Sequence, residues 1–320
     1  MIERVCVVGA GAIGSLYAAH LSRVADVWVL TRRPEHARAL EEEGLRVSGR
    51  ADFRGTVHAT ADPGALPRFD IGIVATKSTG LEAAATSLAG RFGDATIVTI
   101  QNGLGAEAIV RRHGSWPLVS GVTFMSGTRH DDTHVEYILD TETWLGPYNG
   151  TTYERVEELA GLLRRSGLKA RPFEDLRPAQ WSKLIFNATV NAVAALTGLP
   201  HDAHFAREER HDDLGHLVRA LVDEGKAVAA AAGIELYEDP WEMNVLATRR
   251  GSAHLPSMLE DVEARRTTEI ELITGALVRE AERLHVPVPL HTALLRLIRA
   301  KEASWGDDRD DNRRSERRRA

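Results

Sequence analysis

An apolar run near the amino terminus, Val5-Cys6-Val7-Val8, passes directly into Gly9-Ala10-Gly11-Ala12-Ile13-Gly14, and this junction constrains the chain more than any other feature. The run has the β-branched character of a buried strand, and Ile13 to Val24 continues it as a helix. G-x-G-x-x-G between a strand and a helix is a dinucleotide-binding turn. Glycines there allow the tight turn, the close approach of backbone to a pyrophosphate, and tight packing of helix on strand. The helix start then offers unpaired N–H groups and the positive end of its dipole to the phosphates. Gly9, Ala10, Gly11, Ala12, Ile13 and Gly14 are therefore the expected cofactor-binding turn.

The alternation of strand and helix continues past this turn. Val27 to Leu30, Ile71 to Ala75 and Ile97 to Ile100 read as strands, and Glu35 to Glu43 and Leu81 to Leu88 as helices. Strands and helices in this order build βαβ units on a parallel sheet, a Rossmann domain. Beyond Arg171-Pro172 strand signals almost vanish and helical patterns take over. The expected organisation is a Rossmann domain over residues 1–172, a helical substrate and catalytic domain over 173–305, and a disordered charged tail over 306–320. Only two domains are needed for 320 residues.

The end of the second strand addresses the choice of dinucleotide. A site for NAD usually places Asp or Glu there, against the ribose 2′-hydroxyl. This chain has Thr31-Arg32-Arg33. A guanidinium matches a 2′-phosphate, so NADP(H) is the expected cofactor, with Arg32 as its reader. Thr76-Lys77 and Gln101-Asn102-Gly103-Leu104-Gly105 stand just past two further strands, where ligands of open α/β sheets bind. Asn102-Gly103 alone would also serve as a turn.

In the helical half, Trp181 to Leu196 is apolar on nearly every side, which predicts a buried helix. Lys183, Asn187 and Asn191 interrupt it at i, i+4 and i+8 and so share one face. Each would cost on the order of 1–3 kcal/mol if buried without a partner. A ligand cleft or a structural hydrogen-bond network accounts for such a stripe, and a protonated lysine there can act as a proton donor. A second long helix is expected from Ser257. Ser257-Met258-Leu259-Glu260 reads as a capping box, so Ser257 is either an N-cap or a ligand for a substrate carboxylate. Glu269, read as lying between helical apolar positions, is a candidate partner for Lys183 or part of a solvated face.

Composition excludes other classes. A net charge of −6 leaves no electrostatic footprint for nucleic acid or an anionic membrane. The one cysteine, Cys6, lies in the first strand, so no internal disulfide forms. No apolar stretch approaches the roughly 20 residues of a membrane helix, and no leader peptide is evident, so a cytoplasmic protein is expected. No metal site is expected.

Taken in order, G-A-G-A-I-G, Arg32, Thr76-Lys77, Q-N-G-L-G, K-L-I-F-N-A-T-V-N from Lys183 to Asn191, and S-M-L-E-D…R-R-T-T-E-I from Ser257 to Ile270 resemble the ketopantoate reductase (2-dehydropantoate 2-reductase) family. The resemblance implies a 6-phosphogluconate-dehydrogenase-like helical C-terminal domain and NADPH-dependent reduction of 2-dehydropantoate to pantoate, a step of pantothenate biosynthesis. It implies Lys183 as general acid and Glu269 and Asn102 as catalytic groups that also meet the cofactor. Lys77 and Gly127 match cofactor contacts, and Asn187, Asn191 and Ser257, with Lys183, match substrate contacts. Departures fall at His201-Asp202, Glu271, Thr274-Gly275 and Thr123 to Gly127. They leave open a related reductase or opine-type dehydrogenase acting on another ketone in a specialised pathway. A non-catalytic NADP(H) sensor is the third reading, and Lys183 and Glu269 argue against it. The implied partner is a small 2-oxo acid; a homodimer stays open.

Overall fold

The computed structural model describes residues 2–209, 212–249 and 255–317, side chains beyond 305 excepted. The chain divides into two compact units. The first comprises residues up to Gln101 and Gly105–Leu176; the second comprises Asn102–Leu104 and the chain from Arg177 onward.

The first unit runs β1 (Arg4–Val8), α1 (Ala12–Leu21), β2 (Asp26–Leu30), α2 (Pro34–Glu43), β3 (Leu45–Gly49), β4 (Phe53–Gly55), β5 (His58–Thr60), β6 (Ile71–Val74), α3 (Leu81–Leu88), β7 (Thr96–Thr99), α4 (Ala106–Arg111), β8 (Leu118–Thr123), β9 (Ser126–Arg129), β10 (His134–Leu139), β11 (Thr143–Tyr148), α5 (Tyr153–Arg165) and β12 (Ala170–Pro172). Eight strands form the main sheet in the order β12-β11-β8-β7-β6-β1-β2-β5. All neighbours are parallel except β8 and β11. The central strands are buried along nearly their whole length, as a sheet covered on both faces requires. The Rossmann order places the ends of β1, β2 and β6 beside one another.

A second sheet, in the order β4-β3-β10-β9, went unread in the sequence. Its strands are short, and β3 pairs in parallel with β10, far along the chain. Leu16 and Leu45 join Val135 and Tyr137 in the core of this unit.

The second unit is helical: α6 (Arg177–Thr197), α7 (Asp213–Ala231), α8 (Pro240–Arg249), α9 (Ser257–Glu263), α10 (Thr274–Leu284) and α11 (Pro289–Arg317). α6 is its central element, buried from Trp181 through Ala195 with Phe186 alone half-buried. Phe205, Val218, Leu221, Leu259, Leu277 and Ile298 pack with it in one core, joined by the half-buried Leu104.

The expected long helix from Ser257 is not continuous. α9 ends at Glu263, where Arg265 takes a left-handed backbone, φ 48°. The buried Asp261 carboxylate then accepts from Arg266 Nε at 2.9 Å and ties off the end. Glu269 therefore sits on a turn, not on a helix face. The tail expected to be disordered over 306–320 instead continues α11 as helix to Arg317, and only residues 318–320 of it lie outside the described residues. Among the described residues no helix is long and apolar enough to cross a membrane.

Candidate active site

The glycine turn at the end of β1 divides its labour among three residues. Gly9 has φ +102°, and a Cβ there would press on the Thr76 Cγ2 at 2.9 Å. A Cβ at Gly14 would overlap the carbonyl oxygen of Gly9, so this glycine seats α1 against the turn. Gly11 is different: a Cβ there would meet nothing within 4 Å. Ala10, Ala12 and Ile13 complete the turn, with Ala10 buried. Gly11 is the N-cap of α1 and no side chain caps the helix. The first N–H groups of a helix lack partners within it. An open cradle beside uncapped N–H donors fits the pyrophosphate of a dinucleotide.

Past β2, Thr31 is buried while Arg32 and Arg33 are exposed. The two arginines differ in their engagements. Arg33 donates to Glu35 Oε1 at 3.2 Å and to the Asp132 carboxylate. Among the described residues Arg32 has no hydrogen-bond or ion-pair partner. Lys77 is exposed just beyond β6. Gln101, past β7, donates through Nε2 to the carbonyls of Val74 at 2.8 Å and Thr76 at 2.9 Å, knitting the ends of β6 and β7 together. Gly127 lies on β9 opposite Tyr137. A Cβ there would meet the Glu136 carbonyl at 2.6 Å and Leu16 Cδ1 at 3.0 Å, so packing alone accounts for this glycine.

In the helical unit, the spacing of Lys183, Asn187 and Asn191 does produce one face of α6, and all three side chains are buried. Asn102 meets that face. Lys183 Nζ donates to Asn102 Oδ1 at 2.8 Å, and Asn187 Nδ2 reaches the same oxygen at 3.5 Å. Asn102 Nδ2 donates in turn to Glu269 Oε2 at 3.3 Å. The amide thus spans an ammonium and a carboxylate. Burial pushes the Lys183 ammonium down from the ordinary 10.5 to about 8, and the negative charge of Glu269 opposes that fall.

Asn191 and Ser257 do not join this network. Among the described residues neither side chain has a hydrogen-bond partner. Ser257 is also not the helix cap that the capping-box pattern suggested. The N-cap is Pro256, with Ser257 the first helical residue and no side-chain cap bond. The proline displaces the cap because its fixed φ and missing N–H suit the edge of a helix.

The His201-Asp202 departure noted in the sequence belongs to a buried group whose partner, Asn244, the sequence did not suggest. His201, buried, contacts the rings of Phe186 and Phe205. Its Nε2 meets Asn244 Oδ1 at 2.8 Å, and Asn244 Nδ2 donates to the Phe205 carbonyl at 2.8 Å. The carbonyl can only accept, which makes Asn244 Oδ1 an acceptor and His201 Nε2 the protonated nitrogen. Phe186 stands at i+3 from Lys183, so its ring lies to one side of the lysine stripe on α6. Only the unusual burial of Asn244 would have marked it, and burial is not visible in one sequence.

A Rossmann unit with an open phosphate cradle, continued in the same chain by a helical unit holding a buried lysine, defines a nicotinamide-dependent oxidoreductase. Residues 5–150 match the family model described as ketopantoate reductase PanE/ApbA, and residues 175–302 match its C-terminal counterpart. The chain belongs to the ketopantoate reductase family. The 2-dehydropantoate 2-reductase of Archaeoglobus fulgidus is 30% identical over 302 residues, 94% of this chain and 99% of that one. The crystal structure of a PanE/ApbA family ketopantoate reductase from Ralstonia eutropha JMP134 superposes with TM-score 0.82 at 28% identity, covering 94% of this chain and 99% of that one. A ternary structure of D-mandelate dehydrogenase with NADH and anilino(oxo)acetate superposes with TM-score 0.84, covering 94% and 99%. Its 23% identity speaks for the fold alone.

Proposed function

We propose that the protein reduces a 2-oxo acid to the 2-hydroxy acid with NADPH, with 2-dehydropantoate as the substrate and pantoate as the product. The observation that carries this is the buried Lys183 on α6, bonded to Asn102 and held near Glu269. A sensor has no use for a buried ammonium, whose desolvation costs free energy.

Gly9 to Gly14 would hold the pyrophosphate, and Arg32, uncommitted within the protein, would hold the 2′-phosphate. Lys77 would contact the cofactor from the end of β6, and Asn102 and Glu269 would meet it near the reacting carbon. Gly127 keeps only a supporting place, given its packing. When bound, the nicotinamide supplies the hydride.

The rest of the chemistry belongs to the chain. A ketone that accepts hydride becomes an alkoxide and needs a proton. Lys183, protonated at neutral pH, donates it from Nζ, and its charge stabilises the oxyanion beforehand. Glu269 favours the ammonium form, and Asn102 fixes the direction of Nζ. Asn187 and Asn191 present amides to the substrate's polar groups. The hydroxyl of Ser257 and the N–H groups at the start of α9 suit its carboxylate.

A second reading is a reductase of the same chemistry acting on another 2-oxo acid. The half-buried Phe186 ring, three residues along α6 from Lys183 and packed on His201, favours it, since an aromatic surface suits a bulkier, flatter side group. The D-mandelate dehydrogenase of like fold, solved with anilino(oxo)acetate, is in keeping with it. Loss of reduced-nicotinamide absorbance with a panel of 2-oxo acids decides. Fastest turnover of 2-dehydropantoate supports the first reading, and preference for an aromatic 2-oxo acid the second. No turnover with any of them sinks both.

A further inference from the structure

Asn102 reaches Lys183 only because of the two residues after it, Gly103 and Leu104. The backbone N–H of Leu104 donates to the carbonyl of Leu272 at 2.9 Å, and the side chain of Leu104 packs on the helical core. Gly103, between Asn102 and Leu104, has φ +98°, and a Cβ there would overlap the Leu272 carbonyl oxygen and crowd the N–H of Ile273 at 3.0 Å. No flexible side chain could give way, because the obstacles are backbone. The turn that receives Gly103 also carries Glu269. The N–H groups of Leu272 and Ile273 both donate to the Glu269 carbonyl, each at 3.2 Å. A short backbone relay therefore runs from Asn102 through Leu104 and Leu272 to Glu269.

We infer that Gly103 is a positioning residue: its bare Cα lets the 102–104 segment dock on the 269–273 turn, and this docking sets the amide of Asn102 between Lys183 and Glu269. The inference rests on the reading of Lys183 and Asn102 as reacting groups. Any side chain at 103 forces the segment off the turn and carries the Asn102 amide with it. A displacement of about 1 Å at a reacting group costs on the order of 10²-fold in rate.

The test compares Gly103→Ala with Leu104→Pro, which keeps Gly103 but deletes the N–H that Leu272 accepts. Lys183→Ala and Leu162→Ala, a truncation on α5 in the separate core of the first unit, serve as controls. Each is assayed for kcat and KM with NADPH and a 2-oxo acid that the native protein turns over, alongside thermal unfolding. Gly103→Ala and Leu104→Pro are expected to lose about 10²-fold in kcat with KM little changed. Leu162→Ala is expected to lower the unfolding temperature and keep kcat. A folded Gly103→Ala or Leu104→Pro protein with native kcat overturns the inference. So does a Leu162→Ala protein that loses kcat in proportion to its stability, since the effect is then only structural. Native turnover in Lys183→Ala instead removes the reading of the site on which the inference stands.

Discussion

The Nζ of Lys183 donates to Oδ1 of Asn102 at 2.8 Å, across 81 positions of sequence. With Nδ2 committed to Glu269, the amide cannot flip without losing both bonds. The lysine thus has a fixed direction as well as a lowered pKa. Replacing it by alanine should cut turnover by about 10²–10⁴, the usual worth of general acid catalysis, and leave NADPH affinity nearly unchanged. The pH dependence has a definite sign. Ketone reduction needs the ammonium, so its rate should fall as pH rises through about 8, while alcohol oxidation, which needs the free amine, should rise over the same range. A reduction rate flat across this range would remove Lys183 from the proton path.

Arg32 and Arg33 should not behave alike. Arg33 is occupied by Glu35 and Asp132, whereas Arg32 has no partner among the described residues. Arg32→Asp should weaken NADPH binding by about 10- to 100-fold, the worth of a charge-assisted hydrogen bond, and barely alter NADH binding. Titration calorimetry with both dinucleotides checks this. Equal effects on the two, or equal native affinities, would show that Arg32 does not read a 2′-phosphate.

The glycines of the first turn separate packing from binding. Gly14→Ala should lower the unfolding temperature, since its Cβ has no room beside the Gly9 carbonyl. Gly11→Ala should leave the unfolding temperature of the free protein unchanged, because its Cβ enters open space. It should nevertheless weaken dinucleotide binding by filling the cradle. Unaltered affinity in Gly11→Ala would mean that the phosphates lie elsewhere.

Ser257 is not a helix cap, so its hydroxyl is available to a ligand. Ser257→Ala should raise KM for a 2-oxo acid much more than for the matching methyl ketone, which has no carboxylate to lose. Steady-state kinetics on the pair provide the measure. Identical changes would place the carboxylate away from α9.

Local order was legible in the sequence because it repeats. The strand, glycine turn and helix at residues 4–21 follow from short-range sterics, and the 3.6-residue period alone put Lys183, Asn187 and Asn191 on one face of α6. Arg32 stood out because a basic residue replaced an expected acid. These features depend on neighbours within a turn or two, so composition and spacing carry them.

Tertiary structure decided the rest. The pairing of β3 with β10 joins short strands distant in sequence, which no local pattern announces. A periodic apolar pattern suggested one helix through Glu269, but the Asp261–Arg266 pair and the left-handed Arg265 end it early and put Glu269 on a turn. Asn102 follows a Rossmann strand in sequence yet belongs with the helical unit, because Gly103 docks against the Leu272 carbonyl. Chain spacing encodes which side chains share a face of one element. Which face meets which residue from elsewhere is set by close packing and by the pairing of buried polar groups, and those are properties only of the folded chain.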